Sequence, residues 1–183
     1  VFLREGDEKI KEYGYVFKGT NHNLNPSDCD LKICLDCSDI ERIDAFKDVY
    51  SGNTISIDHH ITHKDFSKYT LLEPNASATC EIVYKLLKFM NIAISKEIAY
   101  NLYIGISTDT GNFKFSSTTS ETHSIASELM KTGIDIGKIS KMLYDTKSFE
   151  YLKMYVNDLN KLMEENEGYK SWSIRKILTN YAE

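Results

Sequence analysis

The tetrapeptide Ile57-Asp58-His59-His60 overlaps the end of an apolar, β-branched run, Thr54-Ile55-Ser56-Ile57. Two imidazoles and a carboxylate at the end of a buried strand are costly to desolvate unless a metal or an anion compensates them. Metal ions take neutral imidazole and ionised carboxylate, so a divalent cation is the natural partner of these residue types. Two further aspartates occupy comparable places. Asp36 ends the apolar run 31–35, and Asp109 lies in the polar stretch Ser107-Thr108-Asp109-Thr110-Gly111. Each alone is as well explained by a cap or a turn. Together they combine hard oxygen donors with imidazole, a set that suits Mn2+ or Mg2+ rather than a thiolate-preferring metal.

These groups converge only if the elements that carry them do. Residues 31–35 read as a strand, residues 39–50 as a short helix closed by Ser51-Gly52, and the run ending at Asp58 as a second strand. Strand, helix, strand over this length is a βαβ unit with a parallel pair. In open parallel sheets, ligands bind at the carboxyl ends of strands, where Asp36 and the Asp58-His59-His60 triplet fall. Glu73-Pro74-Asn75 then breaks the chain, and residues 77–90 carry Ile82, Val83, Leu86, Leu87 and Met90 on one helical face. Ser95 is a suitable N-cap for the next helix. Asp109 is expected in a loop after that helix, and Phe113-Lys114-Phe115 alternates like a strand. Helices follow over residues 121–131, 136–144 and 149–165, and short strands are expected at residues 13–18 and 169–174.

The chain has 183 residues, 42% hydrophobic and 27% charged, the makeup of a globular protein with a real core. A net charge of −5 provides no global basic field for a long nucleic acid, though a local groove for a short anionic substrate is compatible with it. No apolar stretch is long enough to span a membrane. Cys29, Cys34, Cys37 and Cys80 include one CxxC and read as small buried hydrophobes, a usage that suits a reducing cytoplasm.

Several segments, in order, resemble motifs of the DHH phosphoesterases. They are Leu35-Asp36-Cys37-Ser38-Asp39 with Arg42 after it, Ile57-Asp58-His59-His60, the Ser/Thr-rich residues 74–81, and residues 105–119, with Glu121-Thr122-His123 opening the helix that follows. The resemblance extends from about Val16 to Leu143. Its closest flavour is the bacterial oligoribonuclease and phosphoadenosine-phosphate phosphatase branch. It implies an α/β fold, a parallel sheet with flanking helices, over residues 1–146. A helical linker over 147–168 and the start of a second α/β domain over 169–183 would follow.

The resemblance also implies a chemistry. It points to a manganese-dependent phosphoesterase with two ions per complete site, while the ligand types admit Mg2+ or Co2+ as well. Asp36 and Asp109 correspond to aspartates that contact the metal pair, and His59 to a metal ligand. His60 corresponds to the histidine that contacts the scissile phosphate, and Asp58 to a residue that orients a histidine from behind. Arg42, Lys114, Ser116, Ser117, Thr118 and Thr119 are candidates for holding phosphate or ribose oxygens. The expected substrate is a very short oligonucleotide or a small nucleotide phosphate; no membrane partner is expected, and a homodimer is compatible. His22 and His123 read as surface residues, while His63 borders the site. Two other functions fit these residues: an inorganic pyrophosphatase of the same superfamily, and a non-catalytic nucleotide-binding or scaffold protein. The family's first motif, one His and two Asp, has no counterpart here. The polypeptide is therefore expected to be truncated at both ends and weakly active or inert alone.

Overall fold

In the computed structural model, strands β1 (Lys32–Leu35), β2 (Thr54–Asp58) and β3 (Tyr69–Leu72) form a parallel sheet in the order β1-β2-β3. The described residues are 29–46, 50–145 and 149–165. The strands expected at 13–18 and 169–174, and His22, lie outside them. The chain divides into two compact units, Val1–Ile136 and Gly137–Glu183. In the first, helix α1 (Thr79–Phe89) packs on β2 and on α2 (Lys96–Asp109), which in turn packs on α3 (Ser120–Met130). The class is α/β, a parallel sheet with flanking helices, as the strand and helix pattern implies.

Alternation along β2 organises this unit, because successive strand side chains point to opposite faces. Ile55 and Ile57 pack with Ala76, Ile82 and Leu86 in the core shared with α1. Thr54, Ser56 and Asp58 face the other way and are also buried. Buried polar groups need partners, and β3 together with the segment joining it to β2 supplies them. The Lys68 amide donates to Thr54 Oγ1 at 2.8 Å, and Ser56 Oγ donates to Thr70 Oγ1 at 3.2 Å. Asp58 receives the imidazoles of His60 and His63. The β2–β3 connection is thus a polar strap laid along β2, with no helix in it.

Three elements differ from the sequence reading. No strand was expected between Asp58 and Glu73, yet β3 is there. Its residues are all exposed and show no alternation, so backbone pairing with β2 rather than burial defines it. The helix expected over residues 39–50 is a 3-10 helix over Ile40–Phe46. It is opened by Asp39, whose Oδ1 accepts from the Glu41 amide and whose carbonyl accepts from Arg42. Phe113-Lys114-Phe115 is a tight turn rather than a strand. Gly111, Asn112 and Phe113 all have positive φ, and the Lys114 and Phe115 amides both donate to the Thr110 carbonyl. The polar stretch before it does not interrupt α2. Thr108 and Thr110 return their hydroxyls to the Ile104 and Ile106 carbonyls, which makes them compatible with helix. Asp109 is therefore the last residue of α2 rather than part of a loop.

Caps behave as the sequence suggests. Ser95 Oγ accepts from the Ile98 amide at 3.2 Å. Thr119 and Thr122 form a reciprocal capping box at the start of α3. The hydroxyls of Thr122 and Ser77 both reach the buried carboxylate of Glu81, tying α3 to α1. The helix expected over 136–144 divides. It is α4 (Ile136–Ser140) followed by a π-helical turn (Lys141–Asp145), and α5 (Phe149–Glu165) follows as expected.

Gly105 sets the approach of α2 to α1, since a Cβ there would lie 2.1 Å from Cys80 Sγ. Gly105→Val is expected to lower stability by about 1–3 kcal/mol, the usual cost of overpacking. Denaturant unfolding of the single variant and of the double variant with Cys80→Ala checks this, with partial recovery expected in the double variant.

Candidate metal centre

Asp36 follows β1 with φ +59°, a left-handed conformation that Asp tolerates better than most residues. Its amide donates to the Ile57 carbonyl at 3.0 Å, so the residue is still tied to β2. The first residue of α1, Thr79, donates its hydroxyl to Asp36 Oδ1 at 2.7 Å. His59 follows β2, and its Nδ1 lies 3.1 Å from the Ala76 carbonyl. A carbonyl only accepts, so this bond places the proton on Nδ1 and leaves the Nε2 lone pair free. That Nε2 lies 3.5 Å from Asp36 Oδ1 and 3.7 Å from Asp109 Oδ2. Spacings of this size are those of ligand atoms around one cation with bonds of about 2.1 Å. Asp36, His59 and His60 can each offer an atom to one ion, these atoms lying within 4.8 Å of one another. Asp109 meets this group through His59.

Asp58 stands behind them and is 0% exposed. Its Oδ1 accepts from the His59 amide at 2.8 Å, the His60 amide at 3.3 Å and His60 Nδ1 at 2.6 Å. Its Oδ2 accepts from His63 Nδ1 at 2.8 Å. Burial pushes the Asp58 carboxyl up, but the hydrogen bonds from His60, His63 and the two backbone amides outweigh it and hold the group below the usual carboxylate range. A carboxylate cannot donate, so both imidazoles carry their proton on Nδ1. In Asp109 the balance is reversed. Burial first, and then the neighbouring Asp36 carboxylate, raise it to about 6 against the opposing pull of His59 and His60.

The structure thus brings Asp36, Asp58, His59, His60 and Asp109 into one cluster. The phosphate-holding candidates are placed differently. Arg42 is exposed on the 3-10 helix. The side chains of Lys114, Ser116 and Ser117 are exposed, and no hydrogen bond among the described residues joins them to the cluster. Thr118 Oγ1 is buried without a hydrogen-bond partner, whereas Thr119 is engaged in the capping box. His123 stacks on Phe113 with centroids 5.3 Å apart. Three participants were missed or left open by sequence reasoning. Thr79 and the Ala76 carbonyl lie in the Ser/Thr-rich segment, which marked the region without marking their roles. His63 lies inside the network rather than at its border.

The donor set fits a hard divalent cation. Burial, with Cys37 beside it, pushes the Cys34 thiol up to about 12. Burial, with Asp109 and Asp36 nearby, does the same to Cys80. Among the described residues, the group of side chains that could converge on one ion, Asp36, His59 and His60, offers oxygen and imidazole and no thiol.

Residues 3–106 match a family model described as the DHH family, N-terminal domain. An uncharacterized protein of Mycoplasma pneumoniae is 30% identical over 153 residues, which cover 79% of this chain and 47% of that protein. The bifunctional oligoribonuclease and PAP phosphatase NrnA of Thermus thermophilus is 36% identical over 92 residues, 50% of this chain and 28% of its own. Among solved structures, an exopolyphosphatase-related protein from Bacteroides fragilis matches with a TM-score of 0.70 and 36% identity, covering 74% of this chain and 41% of that one. The chain spans about half the length, or less, of the curated relatives it matches. Among the described residues, no helix is long and apolar enough to cross a membrane.

Proposed function

Since this chain belongs to the DHH family, we propose that it is a metal-dependent phosphoesterase acting on very short oligonucleotides or small nucleotide phosphates. The observation that carries this reading is the Nε2 of His59, set between the carboxylates of Asp36 and Asp109 while the Ala76 carbonyl holds the ring at Nδ1. Asp36, His59 and Asp109 would hold a divalent cation, manganese in our reading, with His60 in reach. When bound, such ions supply positive charge against the phosphoryl oxygens and lower the pKa of a water.

The chain's own residues do the positioning. The Ala76 carbonyl fixes the His59 tautomer, and Asp58 holds the His60 ring by its Nδ1, so that His60 Nε2, when it also carries a proton, would donate to a phosphate oxygen. Arg42, Lys114 and the hydroxyls of Ser116, Ser117 and Thr118 are the groups proposed to hold phosphate or ribose. The net charge of −5 favours short substrates, because a long strand needs an extended basic track. The name of the Bacteroides relative favours a second reading, hydrolysis of condensed phosphates.

Phosphate release by the manganese-loaded chain separates the two. Weak cleavage of pApA or of 3′-phosphoadenosine 5′-phosphate by this chain alone, lost on chelation, is expected. Cleavage of pyrophosphate or polyphosphate alone would favour the second reading. Manganese binding without any hydrolysis would leave a nucleotide-binding protein.

The raised pKa of Asp109 adds a pH signature. Below pH about 6 a proton competes for this ligand, so manganese affinity is expected to fall about tenfold per pH unit. In the metal-free fold the same group has the opposite sign. Its contribution to stability is full below the unfolded carboxylate value of about 3.9 and is lost as pH rises through about 6. Calorimetric titration of manganese and thermal unfolding of the metal-free chain, both across this range, check the two slopes.

A further inference from the structure

We propose that His63 is a positioning residue of this site. It locks the Asp58 carboxylate in place, and through that carboxylate it holds the His60 imidazole. The proposal rests on the phosphoesterase reading only for its effect on turnover.

His63 is three residues beyond the DHH triplet, in the strap between β2 and β3, and its side chain is 2% exposed. Its Nδ1 is the hydrogen-bond partner of Asp58 Oδ2, while the other three donors converge on Oδ1. A carboxylate turns about a soft torsion. Donors on one oxygen fix the position of that oxygen, and a donor on the second fixes the plane. The plane matters because Oδ1 must stay aligned with His60 Nδ1, 2.6 Å away.

The far side of His63 is anchored as well. Its Nε2 lies 3.3 Å from Ser56 Oγ, Ser56 donates to Thr70 Oγ1, and Thr70 donates to Asp65 Oδ1 at 2.8 Å. Asp65 can only accept when ionised, so these directions run from Ser56 through Thr70 to Asp65 and leave a lone pair of Ser56 Oγ facing His63 Nε2. The ring also lies against Phe66, with centroids 5.3 Å apart. His63 is thus held from the strap and from β2, and it transmits that rigidity to Asp58.

Three variants of the full chain separate this role from general packing. Asn carries its amide nitrogen at the position of Nδ1, and Gln carries it at the position of Nε2. His63→Asn can keep the bond to Asp58, while His63→Gln and His63→Ala lose it. With kcat and KM measured on the substrate the wild-type chain cleaves, His63→Asn is expected to retain most of kcat. His63→Gln and His63→Ala are expected to lose about 10- to 100-fold in kcat, the usual range for partners of ligand or reacting groups, with little change in KM.

Nitrogen-15 spectra of the histidine side chains provide a readout independent of turnover. His60 is expected to keep its proton on Nδ1 in His63→Asn and to lose that preference in His63→Gln and His63→Ala, at a pH where all are folded by thermal unfolding. The proposal is overturned if His60 keeps the Nδ1 tautomer in all three, or if folded His63→Asn loses as much as His63→Ala. If the wild-type chain cleaves no phosphate ester, the phosphoesterase reading fails while the tautomer comparison still decides the role of His63.

Discussion

Asp36→Asn is expected to reduce phosphate-ester hydrolysis by about 100-fold or more and to weaken manganese binding in parallel, with the fold intact. Asn matches Asp in size and tolerates the left-handed φ of +59° that this position requires. Its side-chain oxygen can still accept the Thr79 hydroxyl that Asp36 Oδ1 accepts at 2.7 Å. What it lacks is the negative charge. The carboxylate faces His59 Nε2 at 3.5 Å and lies near Asp109, an arrangement of like charges that a cation relieves. Removing one charge leaves the cation with fewer anionic ligands, and the loss falls on metal affinity first. Calorimetric titration with manganese, turnover at saturating metal and a thermal melt together test this. Undiminished manganese affinity in a folded variant would remove Asp36 from the metal site.

Asp58→Ala is expected to act on the fold as well as on turnover. The variant strands four donors: two backbone amides and the Nδ1 protons of His60 and His63. Leaving buried donors without a partner costs about 1–3 kcal/mol each, and the His60 side chain is partly open to water. A loss of about 3 kcal/mol or more is therefore expected in urea unfolding at neutral pH, with turnover lost at the same time. The effect has a pH sign. The Asp58 pKa is lowered in the folded chain, so its contribution is present above the unfolded value of about 3.9 and is lost as pH falls through the folded value. The stability gap between wild type and variant should therefore narrow in acid. Should Asp58→Ala fail to fold, Asp58→Asn, which keeps one acceptor oxygen, provides the intermediate point. An unchanged urea midpoint in either variant would contradict the account.

Much of this site could be read in the residues because it is built from strand ends. The alternation of Thr54-Ile55-Ser56-Ile57-Asp58 encodes one apolar face and one polar face, and both are buried. The strand positions of Asp36 and of the Asp58-His59-His60 triplet follow from that pattern, as does the parallel pairing of β1 with β2. What was not legible depends on tertiary partners. Strand β3 is short and exposed, and only its pairing with β2 makes it a strand. Asp109 reads as a loop residue because Ser and Thr are poor helix formers in isolation. In the fold their hydroxyls close onto carbonyls one turn back, and α2 runs on through Asp109. Phe113-Lys114-Phe115 shows the converse case, an alternating triplet folded into a turn by three consecutive residues with positive φ. His63 read only as bordering the site, because its place inside the network depends on which oxygen of Asp58 it faces.

The capping box at the start of α3 bears on how a phosphate can be bound. The N-terminus of a helix attracts anions through its free amides and its dipole. The hydroxyl run 116–120 leads into such an end. Here Thr119 Oγ1 already accepts from the Thr122 amide, and Glu121 places a carboxylate in the first turn. One amide of that helix end is thus already engaged, and a carboxylate from the chain itself sits beside it. Under the proposed function, selectivity for a phosphoryl group would come from cations at the Asp36–His59 end and from side chains such as Lys114. In that reading, the affinity of this fold for an anion would be borrowed from its metal.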